Sequence, residues 1–411
     1  MYLAGTRAAD HAAARGTSRV GRVPGTVLAL GVVSLVTDIS SEMVTAILPL
    51  YLVFGLGLNP LQFGLLDGLY AGATAVLRLV GGHVADRWQR LKAVAGIGYG
   101  VSAVAKLGFL AAGSSVPAIG AVLAVDRAGK GVRTAPRDAL ISLSSSPETL
   151  GRSFGVHRAM DTVGAFLGPL AATAVLWAAL GNYDAVFVTS FALATCAVLL
   201  LMVLVPNRTR LTTMPTQDKP SFCTMLGLLR EASFRRCCLW AAALGLFTVT
   251  DSFVYLALQR RWDIDGRLFP LLPLGTAGTF LLLAIPLGRL GDRIGRWKIF
   301  IAGHLALVAA VLLVCGPVGI WWLALVLHGA FYAATDGVLP AAAGPMLPES
   351  LRASGLAVLQ TGQALARMVS AVVVGLLWTL WDMRPALLLF TAALLTVTVA
   401  AAVIRPLEAQ R

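Results

Sequence analysis

The chain reads as an all-α integral membrane protein of twelve transmembrane helices in two pseudo-symmetric six-helix bundles, and three observations predict it. Of its 411 residues 57% are hydrophobic and only 13% charged, with a mean hydropathy of +0.79, whereas charge in a soluble domain runs near a quarter of residues. Apolar runs of roughly 20 residues, the length of helix that crosses about 30 Å of hydrocarbon, lie almost end to end. The two halves also repeat. GGHVADRWQRLK at Gly81–Lys92 returns as LGRLGDRIGRWK at Leu287–Lys298, so that Gly82, Asp86, Arg87, Arg90 and Lys92 match Gly288, Asp292, Arg293, Arg296 and Lys298 at an offset of 206. Pro147, Glu148, Leu150 and Ser153 return as Pro348, Glu349, Leu351 and Ser354, and Thr37-Asp38 has an echo in Thr250-Asp251. Parallel repeats of six spans place a binding site where the halves meet.

The order along the chain follows. Residues 1–24 form a polar tail with Arg7, Arg15, Arg19 and Arg22, followed by an apolar run too long for a signal-peptide core, read as a retained first span. The first bundle covers 25–205. Span 1 (25–54) carries Asp38 and Glu42; span 2 (61–84) carries Asp67 and Arg78; span 3 (92–113) carries Lys106. Span 4 (117–138) is the most charged, with Asp126, Arg127, Lys130, Arg133 and Arg137, and Asp138 closes it. Span 5 (154–178) holds Asp161 and the run Gly164, Gly168, Pro169; span 6 (183–205) ends the bundle. A polar linker, 206–236, separates it from the second bundle, 237–404. There span 7 (237–259) carries Asp251 and Tyr255, span 8 (268–290) runs into the repeated loop, and span 9 (298–316) leaves it. Span 10 (319–342) has His328, Tyr332 and Asp336 four residues apart, and span 11 (354–378) has Gln360, Gln363 and Arg367 on one face. Span 12 (385–404) leads into the tail 405–411. The five cysteines, 196, 223, 237, 238 and 315, are odd in number and show no metal-ligand spacing with the histidines, so no metal site and no cofactor is expected.

Basic residues orient the chain. With both termini cytoplasmic, 23 of the 33 Lys and Arg fall in cytoplasmic segments and 4 outside, the remainder within spans. This bias accounts for most of the +13 net charge. No interleaving of basic and aromatic residues suggests nucleic acid.

The two Gly-Asp-Arg loops resemble the signature between helices 2 and 3, and 8 and 9, of the major facilitator superfamily, over the chain from about residue 25 onward. The first copy departs at Gln89, where the pattern has glycine. Arg127 with Gly131 resembles the superfamily's Arg-x-x-x-Gly signature, Lys130 standing where glutamine is usual. Gly164, Gly168 and Pro169 resemble the Gly-x-x-x-Gly-Pro pattern of its proton-driven antiporters, though Leu170, Ala171 and Ala172 follow where glycines are usual. The resemblance implies a monomeric transporter of a small molecule in the cell inner membrane, moved by alternating access and coupled to protons.

The residues carry chemistry of their own. A charge at membrane depth costs about 2.5–3.5 kcal/mol unless paired or hydrated, so intramembrane ions are expected to line a polar cavity. Asp38 and Glu42 stack on one face of span 1, close enough for one of them to hold a proton near neutral pH; alternatively each is bridged to a span 4 cation. Asp67, Asp126 and Asp161 are further coupling candidates. Arg127 and Lys130, with Asp251, Tyr255, His328, Tyr332, Asp336, Gln360, Gln363 and Arg367, are candidates for substrate binding, the two cations offering either an anion site or a partner for Asp38 or Glu42. Asp86, Arg87, Arg90, Asp138, Glu148, Asp292, Arg293, Arg296 and Glu349 gather at the cytoplasmic ends as a candidate gate, positive-inside anchoring being the plainer account. Gly164, Gly168 and Pro169 serve as hinge or simply as packing.

Three functions remain in view: a proton-coupled exporter of a small organic solute, an importer of an anionic metabolite or metal chelate, and a non-transporting receptor or assembly factor. No P-loop, HExxH or nucleophile elbow is present, so no enzyme is expected.

Overall fold

The computed structural model describes residues 23–73, 91–146, 150–206, 227–317, 320–348 and 351–404. These are helical throughout, and ten of their helices are long and apolar enough to cross a membrane. Two further helices complete the expected pattern. One covers residues 60–73, the last described residues of that stretch; the other, Val116–Ser144, is span 4, whose charged residues keep it from reading as a simple apolar span.

The helix ends follow local chemistry. Span 2 opens on a reciprocal cap: Gln62 N donates to Asn59 Oδ1 at 2.9 Å and Asn59 N to Gln62 Oε1 at 3.0 Å, with Pro60 at the first helical position. Ser115 Oγ accepts from Ala118 N at the head of span 4, and Asn182 Oδ1 accepts from Asp184 N at the head of span 6. Span 1, Gly25–Leu50, is extended by a π-helical turn, Tyr51–Gly55.

Several expected elements differ in the structure. Span 4 reaches Ser144 and span 5 begins at Leu150, beyond the expected bounds of 138 and 154, so Arg152 sits on a helix and not in the connection. Span 7 is not one helix but two, Ala232–Phe247 and Asp251–Trp262, separated at Thr248, Val249 and Thr250; Thr248 and Thr250 are extended. Span 10 is likewise divided, into Trp321–Thr335 and Val338–Ala343, around Gly337. Irregular backbone at membrane depth is stable only where protein or a wet cavity satisfies it. In span 7 it is satisfied from span 11 (Arg352–Trp381), whose Ser370 Oγ donates to Thr248 O at 2.6 Å.

Lipid offers no hydrophobic drive for helix association, so close backbone approach at small residues carries the packing. Spans 3 and 4 cross at Gly98 and Gly129: a β-carbon on either would fall 2.7 Å from the other's carbonyl oxygen. Spans 1 and 5 meet at Gly164 and Gly168, where β-carbons would fall 2.6 Å from Leu35 O and 2.6 Å from Glu42 Cβ. Between the bundles, Gly64, Gly68 and Gly72 of span 2 form one stripe against Ala371 and Met368 of span 11. The connection Phe269–Leu271 also touches spans 1 and 5.

Candidate functional site

A cavity of about 430 Å³ lies where the bundles meet. Spans 1, 2 and 5 give it Glu42, Thr45, Asp67, Tyr70 and Pro169. The second half gives it Thr248, Thr250, Asp251, Ser252 and Tyr255 from the break in span 7 and the helix after it, Phe269 and Pro273 from the start of span 8, Tyr332 from span 10 and Arg367 from span 11. Seven of the residues singled out in sequence therefore converge on one space: Glu42, Asp67, Pro169, Asp251, Tyr255, Tyr332 and Arg367.

Asp251 sits in the first turn of the second helix of span 7, where helix amides favour a carboxylate. Tyr332 donates its hydroxyl to Asp251 Oδ1, and His328 Nε2 lies 3.3 Å from the same oxygen. His328 does not line the cavity but stands behind it, fully buried, with Nδ1 3.3 Å from Thr276 Oγ1 and its ring edge-on to Tyr255. The Arg367 guanidinium lies 6.0 Å from the centre of the Tyr332 ring.

Asp67 is held differently. Its two oxygens accept from Thr250 Oγ1 at 2.7 Å and Ser252 Oγ at 2.8 Å, both on the opposite bundle. Sequence reasoning missed these hydroxyls; the Thr-Val-Thr-Asp-Ser run was their only trace.

Glu42 makes no hydrogen bond or ion pair with any described residue. The glycine face of span 5 lies against its Cβ, and Glu42 is among the residues that line the cavity. Asp38, one turn earlier, has Arg133 at 3.9 Å and does not line the cavity. Lys130 lies outside the cavity lining.

Of the span 4 cations, Arg133 pairs with Asp38 as the bridged alternative expects, at 3.9 Å. Arg127 instead gives its guanidinium to Asp126, its chain neighbour, and stacks over Tyr70 at 4.2 Å, contacting neither Asp38 nor Glu42. Lys106 comes within 3.4 Å of Asp126 and Ser102 Oγ donates to it at 2.5 Å, so Asp126 is fully engaged inside the first bundle. Arg133 lies over the Tyr99 ring at 4.6 Å. Arg127 thus faces Tyr70 of span 2, and Arg133 lies between Asp38 of span 1 and Tyr99 of span 3, so that neither these two nor Lys130 line the cavity.

Asp161 belongs to another cluster near the span 4/5 connection, with Arg158 at 3.5 Å, His157 at 3.5 Å and Arg137 at 3.9 Å; Arg137 also holds Asp138 at 3.0 Å and Ser34 Oγ at 3.0 Å. Asp336 is exposed at the end of the first helix of span 10, and Gln360 is exposed on span 11; neither they nor Gln363 line the cavity. In the second repeated loop Arg296 holds Asp292 at 2.8 Å and donates to Ala341 O at 2.7 Å, a tie within the second half, while Arg293 is exposed. Asp86, Arg87, Arg90, Glu148 and Glu349 lie outside the described residues.

Among the described residues, twelve helical spans in two repeated bundles surround a shared polar cavity, the architecture of a secondary transporter. The chain belongs to the Major Facilitator Superfamily, whose family model matches residues 30–277 and 262–411. It is 28% identical over 374 residues to an uncharacterized MFS-type transporter of Methanocaldococcus jannaschii, covering 86% of this chain and 88% of that one. It is also 39% identical over 152 residues to an uncharacterized protein of Mycobacterium tuberculosis (strain ATCC 25618 / H37Rv), 36% of each chain. Among solved structures it is similar to the nucleoside transporter NupG (TM-score 0.76, 16% identity, 94% of this chain and 100% of that one). A POT family transporter in complex with a thioalcohol-conjugated peptide aligns with a TM-score of 0.74 at 12% identity, over 93% of this chain and 96% of that one. At such identities these two likenesses speak for the fold alone.

Proposed function

We propose that this protein is a proton-coupled exporter of a small organic solute, acting as a monomer in the cell inner membrane with both termini cytoplasmic. The observation that carries the coupling is Glu42. It is a carboxylate in the cavity wall with no ionic or hydrogen-bonding partner, at a depth where an unpaired charge is costly, so binding a proton is its cheapest state whenever the cavity is dry. Asp38, beside Arg133 and one turn away, is the second member of the pair. The span 5 glycines that resemble the antiporter pattern lie on the face of span 1 that carries both carboxylates, which links helix rocking to their surroundings.

The 23 to 4 partition of basic residues supports cytoplasmic termini. With that orientation the side bearing the span 1/2 and 7/8 connections is external. There Phe63 meets Phe253 at 5.0 Å and Phe253 meets Trp378 at 5.6 Å, so this conformation is closed to the outside. An importer of anions is less well supported, because Arg127 is taken by Asp126 and Lys130 is absent from the cavity wall. The test is reconstitution into proteoliposomes, with a proton gradient imposed on a panel of solutes while solute and internal pH are both followed. Solute movement that neither responds to nor dissipates the gradient would overturn the coupling.

A further inference from the structure

Three of the five intramembrane carboxylates of the first bundle are matched to cations. Asp126 has Lys106 and Arg127, Asp161 has Arg137 and Arg158, and Asp38 has Arg133. Across the cavity Asp251 has the Tyr332 hydroxyl and His328 Nε2 beside it. Two break the pattern. Glu42 is explained above as a proton site, and Asp67 remains, with two neutral hydroxyls and no cation within 4 Å among the described residues. A carboxylate taken out of water recovers its lost hydration only from an opposite charge or from several strong donors.

The setting of Asp67 makes the missing charge informative. The cavity wall holds three carboxylates, Glu42, Asp67 and Asp251, against one arginine, Arg367, which lies beside Tyr332. In broken-helix transporters the amino end of a half-helix is where an anionic group of the substrate docks; here the protein's own Asp67 already occupies it through Thr250 and Ser252. The cavity is therefore closed to an added anion and open to an added cation. Tyr70, Tyr255, Tyr332 and Phe269 supply the aromatic surface against which an organic cation packs.

We propose that the substrate is an organic cation whose ammonium group docks on Asp67 and displaces the Thr250 and Ser252 hydroxyls. The proposal rests on the transporter reading above and adds the class of solute. Both displaced hydroxyls belong to the second bundle, whereas Asp67 belongs to the first, so docking also removes one polar tie between the bundles, leaving that of Leu61 N to Thr379 Oγ1. That tie lies one helical turn from the Phe63–Phe253 contact, and Gly64 and Gly68 flank it on span 2. Cation binding would thus loosen the external closure from within, the direction an exporter requires. The ionisable groups that face Asp67 across the cavity are Glu42 from span 1, Asp251 and Tyr255 from span 7, Tyr332 from span 10 and Arg367 from span 11, with Tyr70 on its own helix.

The test uses the full chain in detergent or nanodiscs and probes that differ mainly in charge: tyramine and tetraethylammonium as cations, 4-ethylphenol as a neutral counterpart and 4-hydroxyphenylacetate as an anion. Calorimetric titration should show at least one cation binding and the neutral and anionic compounds binding at least tenfold more weakly. Asp67→Asn should weaken the cation on the order of thirtyfold or more, the usual result of removing one partner of a desolvated charge pair. Thr250→Val with Ser252→Ala keeps the carboxylate and removes its competitors, so it should bind the cation more tightly, and it remains informative if Asp67→Asn folds poorly. Spin labels at residues 180 and 384, in a background with the native cysteines replaced by alanine, should move apart when the cation is added. Binding of neither cation, equal binding of the anion, or unchanged binding in both variants would overturn the proposal. The proteoliposome assay separates the two readings: cation binding that depends on Asp67 without any gradient-driven movement overturns the coupling alone, whereas gradient-driven movement of neutral or anionic solutes only overturns this proposal alone.

Discussion

Replacing Gly168 with alanine tests how span 5 is set against the proposed proton pair. The added β-carbon would fall 2.6 Å from Glu42 Cβ, 3.0 Å from Ile39 O and 3.1 Å from Glu42 C. Carbon atoms in ordinary contact stand about 3.5–4.0 Å apart, so about 1 Å must be regained. No rotamer change can supply it, because the obstructing atoms are backbone or attached directly to it; the two helices have to separate. Overpacking of this kind costs about 1–3 kcal/mol, against which alanine recovers about 0.5–1 kcal/mol of helix preference. Gly155 provides the control, since it lies on the same helix with no atom within 4 Å of the added carbon. Gly155→Ala should be neutral or slightly stabilising, and the two variants should differ by about 1–3 kcal/mol. Thermal unfolding of purified protein, followed by tryptophan fluorescence, measures the difference, and transport should fall in Gly168→Ala alone. Equal stability and equal transport in the two variants would refute the argument.

Three further outcomes are expected. Asp126→Asn leaves Lys106 and Arg127 buried without their counter-ion and should destabilise the protein by about 3–5 kcal/mol, seen as lost folded yield or a lowered melting temperature. Ser370→Ala strips the donor from Thr248 O at the span 7 break and should cost about 1–3 kcal/mol by the same measurement. Reporters fused at residue 215 and after the C-terminus should both report a cytoplasmic location; external readings from both would reverse the topology.

Helix content was legible in the sequence because length and hydropathy decide it, and Glu42, Asp251, Tyr255, Tyr332 and Arg367 were legible because four-residue spacing puts polar groups on one face. What spacing does not give is the rotation of that face. The cationic stripe of span 4 was visible, but its partners, Tyr70 on span 2, Asp38 on span 1 and Tyr99 on span 3, depend on how the helices are turned against one another. Nor was the interruption of span 7 visible, since Thr248, Val249 and Thr250 read as ordinary membrane residues. The break is stabilised by Ser370, 122 positions away, and Thr250 is held by Asp67, 183 positions away. Asp67 itself was identifiable as an intramembrane carboxylate, but its bonds to the other bundle were not, because they exist only once the halves have met.

The most direct test of the account is proteoliposome transport by Glu42→Gln beside the unaltered protein, with uphill accumulation under an imposed proton gradient and counterflow without one measured on the same preparations. The account predicts that Glu42→Gln keeps counterflow and loses accumulation. Accumulation at the unaltered level, with the same dependence on pH, would contradict it.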